Sequence, residues 1–241
     1  MIKSASIDKT ADWYDGSYEK DGLGAQRSYP NEELVRFIAR NYSGVPADER
    51  KNIKILEAGC GPGGNLWMLG REGFSVSGLD ISPKALELAR KTLGKWQTDA
   101  ELKAGSMTEM PFEDGCFEAI VDVLASFSLL KAEFDLYLNE VTRCLRPGGR
   151  FFIFTLSTGS DAFKNYSPAT LIEPCTLDGI YRKDSPYYGC FYPHRFSEVG
   201  ELEAVLSHHG LVARSSELIS RTYNRRSEMF QYIAADAQKI S

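Results

Sequence analysis

The strongest chemical signal in the chain is an apolar run ending in closely spaced glycines, Ile55-Leu56-Glu57-Ala58-Gly59-Cys60-Gly61-Pro62-Gly63-Gly64. Without side chains at Gly59 and Gly61, a main chain can lie against a ligand and adopt dihedrals closed to other residues. Gly59, Gly61 and Gly64 also satisfy the G-x-G-x-x-G dinucleotide pattern. A plain glycine turn fits the same residues, so this stretch alone leaves three readings open. Asp80 narrows them. It ends a second apolar run sixteen positions after Gly64, where a carboxylate can accept both hydroxyls of a ribose. Its other reading, as a helix cap, is weaker because Ser82-Pro83 already supplies a serine N-cap and a proline at N1. Further along, His194 and Tyr188 lie in an irregular aromatic stretch and are the candidates for a general base or an acceptor contact. Ordinary packing competes with that role, since neither has a visible partner. No metal site is expected. Cys60, Cys116, Cys144, Cys175 and Cys190 never fall in metal spacing and read as reduced thiols, and His194, His208 and His209 lack ligand company.

The elements around these residues alternate. Residues 53–58, 74–79, 100–104, 117–124 and 150–156 read as strands, with 117–124 nearly all apolar, as a strand buried on both faces should be. Helices are expected over 65–71, from Ser82 to about 93, and over 134–145. Before them, Asn31 caps a helix whose first turn is acidic; the first thirty residues are polar and aromatic without clear period. After residue 156 the pattern breaks until Ser197, which caps a helix closed by Gly210. Residues 211–219 and 228–234 then form a hairpin, with Arg221, Arg225 and Arg226 near its end. The expected fold is α/β: a doubly wound, mainly parallel seven-stranded sheet with a terminal antiparallel hairpin and helices on both faces. We expect one domain over 1–241. It comprises an N-terminal lid and helix (1–50), a core (53–156), an insertion lining a pocket (157–194), and a final helix with the hairpin (195–241).

The glycine motif with Glu57 before it, Gly78-Leu79-Asp80-Ile81-Ser82, the stretch from Met110 to Ile120, and Leu145-Arg146-Pro147-Gly148-Gly149 together resemble class I, Rossmann-like S-adenosylmethionine-dependent methyltransferases. The resemblance covers residues 53–156. It implies S-adenosylmethionine as cofactor and S-adenosylhomocysteine as product. It further implies that Glu57 orients the loop or meets the methionine amino group, and that Gly59 and Gly61 give that moiety room. Asp80 would hold the ribose and Ile81 pack on the adenine. Ser106 and Met107 sit where the family bonds the adenine edge, although Ser106 replaces a common Asp. Asp122 would lie near the sulfonium or serve as a buried structural acid. The N-terminal segment, with Trp13-Tyr14, Tyr18 and Arg27-Ser28-Tyr29-Pro30-Asn31-Glu32, resembles bacterial small-molecule methyltransferases. Arg27 would then pair with the methionine carboxylate, which suits a planar fork, or stay on the surface.

Composition sets the competing classes in order. Net charge is −5, which disfavours nucleic acid, and Arg221, Arg225 and Arg226 do not make a basic face. No apolar stretch is long enough to span a bilayer, and the first residues show no apolar leader, so a cytoplasmic protein, monomer or homodimer, is expected. The leading reading is methyl transfer to O or N of a small-molecule acceptor. Protein or RNA methylation, a nicotinamide-binding oxidoreductase and a non-catalytic nucleoside-binding module stand behind it.

Overall fold

The computed structural model describes residues 5–240. Residues 1–4, on which the reading of the leader partly rests, lie outside them, as does residue 241. In chain order the helices are α1 (Ala5–Asp21), α2 (Glu32–Tyr42), α3 (Leu66–Arg71), α4 (Pro83–Lys95), α5 (Lys131–Cys144), α6 (Asp161–Lys164) and α7 (Val199–His208). The strands are β1 (Lys54–Ala58), β2 (Ser75–Asp80), β3 (Glu101–Ala104), β4 (Phe117–Val123), β5 (Leu145–Ser157), β6 (Leu171–Glu173), β7 (Thr176–Leu177), β8 (His194–Ser197), β9 (Leu211–Tyr223) and β10 (Glu228–Lys239).

Strands β3-β2-β1-β4-β5 run parallel in that spatial order. Antiparallel β10 covers the other side of β5, and β9 pairs with β10. These are the seven strands that alternation leads one to expect. Three short strands extend them to ten: β8 pairs in parallel with the last two residues of β5, and β7 and β6 follow it antiparallel. At Leu156 β10 occupies one side of β5 and β8 the other, so β8 continues the line of β4 beyond its end.

Side-chain alternation builds two cores. Ile55, Val121 and Phe152 face one cluster with Leu34, Phe37, Leu66 and Leu86, from α2, α3 and α4. Leu56, Ile120 and Ile153 face the other, with Phe134, Leu138, Leu202 and Leu206 from α5 and α7. Helices therefore cover both faces, as parallel strands require. The expected caps form: Asn31 accepts from the main-chain N–H of Glu33 and Leu34, and Ser82 from that of Ala85. In α5 the Glu133 carboxylate accepts from the Leu130 N–H, at 2.8 Å, and so closes the first turn.

Two local expectations fail. Ser197 does not cap α7; it is the buried last residue of β8, and Glu198 takes the cap position. The early residues, read as aperiodic, form the 17-residue α1. Its inward stripe is Ile7, Thr10, Tyr14 and Tyr18, spaced at helical intervals but mixed in polarity, so a purely apolar pattern misses it.

Candidate functional site

The carboxyl ends of β1, β2 and β4 open into a cavity roofed by α1, holding about 1040 Å3 of space counted out to its mouth. The glycine turn makes its floor. Gly59 has φ +71°, and a Cβ there would sit 2.3 Å from that of Ala125. A Cβ on Gly64 would meet the Arg27 carbonyl at 2.5 Å, so this glycine lets the strap before α2 cross the loop. Asp80 pins the turn: its carboxylate accepts from the N–H of Gly61 at 2.8 Å and of Ser82 at 2.9 Å. Burial pushes its carboxyl up to about 6, against the pull of those two hydrogen bonds.

Glu57 is buried, and parity with Ile55 turns it toward α3. Its Oε1 accepts from the Asn65 amide at 2.5 Å, while Oε2 has no partner. Burial pushes this carboxyl up to about 8; the Asn65 bond and the nearby Arg27 charge only partly offset it. Asn65 also accepts from the Asn31 N–H at 2.8 Å, tying the cap of α2 to the first turn of α3. Among the described residues the Arg27 guanidinium, also in the wall, makes no hydrogen bond or ion pair. The site thus offers an unpaired carboxylate oxygen, an unpaired cation and a second carboxylate around a glycine cradle. Such a set suits a ligand carrying an ammonium, a carboxylate and vicinal hydroxyls.

Of the sequence-derived candidates, Arg27, Glu57, Gly59, Gly61, Asp80, Ile81, Ser106 and Met107 all line this one cavity. Ser106 shares a 2.7 Å hydrogen bond with Thr108 Oγ1 and accepts from the Thr108 N–H. Asp122 does not line it. Parity with Ile120 turns its side chain to the α5 face, where Oδ1 accepts from the N–H groups of Ala125 and Ser126 at 3.0 and 3.3 Å. It therefore shapes the loop through Leu124 and Ala125, which does line the cavity; burial holds its carboxyl above the usual range.

His194 and Tyr188, the base candidates, are not among the residues that line the cavity. His194 is fully buried in β8, with Nδ1 2.8 Å from the Tyr192 carbonyl and its ring stacked on Tyr192 at 4.6 Å. Burial lowers its pKa to about 4. Tyr188 is 51% exposed on the loop after β7. The 157–194 segment packs behind the roof instead: Tyr192 OH meets Tyr14 OH at 2.9 Å, and the Trp13 indole donates to the Gly189 carbonyl at 3.1 Å.

Sequence reasoning passed over Asn65, Thr10 and Ser128 and read Tyr14 and Tyr18 only as a lid or a packed edge; all five line the cavity. The helical spacing of the first three α1 residues with Ile7, and an amide at the helix start after the glycine turn, are signals that could have found most of them. Among the described residues no group of His, Cys, Asp and Glu could hold a metal ion, and no helix is long and apolar enough to cross a membrane.

Residues 55–149 match the methyltransferase domain family. The fatty-acid O-methyltransferase of Mycolicibacterium smegmatis is 31% identical over 141 residues, 57% of this chain and 50% of the relative. The demethylmenaquinone methyltransferase of Tropheryma whipplei is 32% identical over 123 residues, 51% and 48%. The chain thus spans about half the length of these curated relatives. Among solved structures, an S-adenosylmethionine-dependent methyltransferase of Methanosarcina mazei superposes with a TM-score of 0.66, at 22% identity over 78% of this chain and 92% of that one. The 1,6-didemethyltoxoflavin-N1-methyltransferase of Burkholderia thailandensis, crystallised with 1,6-didemethyltoxoflavin and S-adenosylhomocysteine, gives 0.68 at 16% identity over 100% and 93%. With the sheet order and the glycine cradle, these matches give residues 55–149 the likeness of a methyltransferase domain and the chain the fold of class I, Rossmann-like S-adenosylmethionine-dependent methyltransferases.

Proposed function

We propose that this protein binds S-adenosylmethionine in the cavity over β1 and β2 and transfers its methyl group to O or N of a small molecule. The observation that carries the reading is the unpaired, buried Oε2 of Glu57 beside the glycine turn. A ligand ammonium is the partner that ionises that carboxyl and repays its burial. Arg27 then takes the amino-acid carboxylate and Asp80 the ribose hydroxyls. Ile81, Ser106 and Met107 border the base.

When bound, the cofactor supplies a methyl group on a sulfonium, open to in-line displacement. What the chain supplies is alignment and exclusion of water, which in favourable cases is worth about 7–11 kcal/mol of barrier. Helix α1 gives the exclusion: Tyr18 is buried above Gly61, and Asp15 accepts from the Ser82 hydroxyl, fastening the helix to the far rim. Among the described residues no histidine lines the cavity, burial keeps Tyr14 and Tyr18 protonated, and the wall carboxyls Glu57 and Asp80 are engaged by the cofactor. The acidic chain supports a small molecule over RNA. Five free cysteines suit a reducing, cytoplasmic setting. Calorimetry tests the cofactor: S-adenosylhomocysteine should bind with one site per chain and NADH should not. Binding of NADH alone would restore the oxidoreductase reading that the glycine spacing also permits.

A further inference from the structure

The cavity divides in two along α1. Tyr18 stands over Gly61, and Asp15 holds the rim at Ser82, so the C-terminal half of the helix covers the ends of β1 and β2. Its first turns lie elsewhere. The Ser6 hydroxyl donates to Glu133 Oε1 at 2.5 Å, and the other oxygen of that carboxylate accepts from the Leu130 N–H, which sets this end of α1 against the start of α5. Ile7, Thr10 and Tyr14 therefore face Ser128 and Leu129, beyond the end of β4, and all five line the cavity.

This second half carries no formal charge among the described residues. The charged groups of the cavity wall are Arg27, Glu57 and Asp80, all engaged in the cofactor reading on which this inference rests. Its hydroxyls are also oriented. Thr10 Oγ1 donates its hydrogen to the Ser6 carbonyl at 3.0 Å, and Ser128 Oγ donates to the Ala125 carbonyl at 3.1 Å. Each hydroxyl has a single hydrogen, so once it is spent on the main chain only lone pairs remain for a ligand. The Tyr14 hydroxyl shares a 2.9 Å hydrogen bond with the Tyr192 hydroxyl, in which either oxygen can be the donor. Thr10 and Ser128 are each 9% exposed, so a ligand group beside them would have little water to fall back on.

We infer that the β4-side half of the cavity is the acceptor subsite. It takes an uncharged, largely apolar molecule whose polar head is an O–H or N–H donor, received by the lone pairs of Thr10 and Ser128. A carboxylate or phosphate head would meet the acceptor oxygens of Thr10 and Ser128 there.

Calorimetry on the full chain saturated with S-adenosylhomocysteine, using 4-hexylphenol, 4-hexylaniline and 4-hexylbenzoate as matched probes, tests this. The phenol and the aniline should bind at least about tenfold more tightly than the benzoate. Thr10→Val and Ser128→Ala should each weaken phenol binding by about three- to tenfold, with S-adenosylhomocysteine affinity unchanged. Benzoate binding as tightly as phenol, or neither donor probe binding, would overturn the inference on the wild-type protein alone. Failure of S-adenosylhomocysteine itself to bind would instead defeat the cofactor reading, before any acceptor probe is added.

Discussion

Glu57→Gln should stabilise the ligand-free protein while weakening its affinity for the cofactor. The carboxyl is 2% exposed, with one oxygen bonded to Asn65 and the other unpaired. Burial raises it from 4.5 to about 8, so the folded chain binds this proton more tightly than the unfolded chain does. Stability from this group is then greatest below about 4.5 and falls as pH rises to about 8, the reverse of an ion-paired carboxylate. Each unit of pH between those limits costs about 1.4 kcal/mol at most. The glutamine keeps an acceptor for Asn65 and carries no charge, but it places an unpaired NH2 where Oε2 was. We expect a net gain of about 1–3 kcal/mol at pH 7.5 and almost none at pH 5. In a chain of this size that is roughly 2–10 °C of melting temperature, readable by calorimetric scans at the two pH values. Asp80, also raised, is common to both proteins and largely drops out of the comparison. The same variant should lose about 1.5–3 kcal/mol of S-adenosylhomocysteine affinity, the range for a charge-assisted hydrogen bond. A difference in stability that is independent of pH, or a variant that binds as tightly as the wild type, would refute the reasoning.

Asp80→Ala should weaken S-adenosylhomocysteine binding by about 1.5–3 kcal/mol in calorimetry, and unchanged affinity in a folded variant would remove it from the site. Arg182→Met should destabilise by about 3 kcal/mol in urea titrations, because it strands the fully buried Glu228 carboxylate that Arg182 holds at 2.6 Å. Tyr188→Ala, on an exposed loop outside the cavity, should leave cofactor affinity and melting temperature within error of the wild type. Cofactor affinity itself should fall as pH drops below about 8 and again below about 6, as first Glu57 and then Asp80 hold a proton the ligand must displace.

Those elements that local chemistry dictates were legible. Asn31 and Ser82-Pro83 start helices because their side chains and ring satisfy or remove orphan N–H groups, and both do so in the structure. The apolar run of β4 needs burial on both faces and has it. The cavity wall at the ends of β1 and β2 follows from the same logic, since Gly59, Gly61 and Asp80 are fixed by the β1–β2 turn chemistry. What was not legible depends on where strands end and which way they face. His194 lies in a four-residue strand too short to show alternation, and β8 carries its imidazole into an aromatic core rather than a cleft. Asp122 sits one residue from the end of β4 on the parity that points beneath the cavity. Helix α1 buries a mixed stripe against a cavity instead of a core, so its inner face never reads as apolar.

The most direct test of the whole account is a crystal structure of the protein with S-adenosylhomocysteine. It should show the ligand amino group on Glu57 Oε2, its carboxylate at Arg27, and the ribose hydroxyls on Asp80, all beneath α1. A nucleoside lodged outside the β1 and β2 ends, or a Glu57 carboxylate still unpaired with ligand bound, would contradict it.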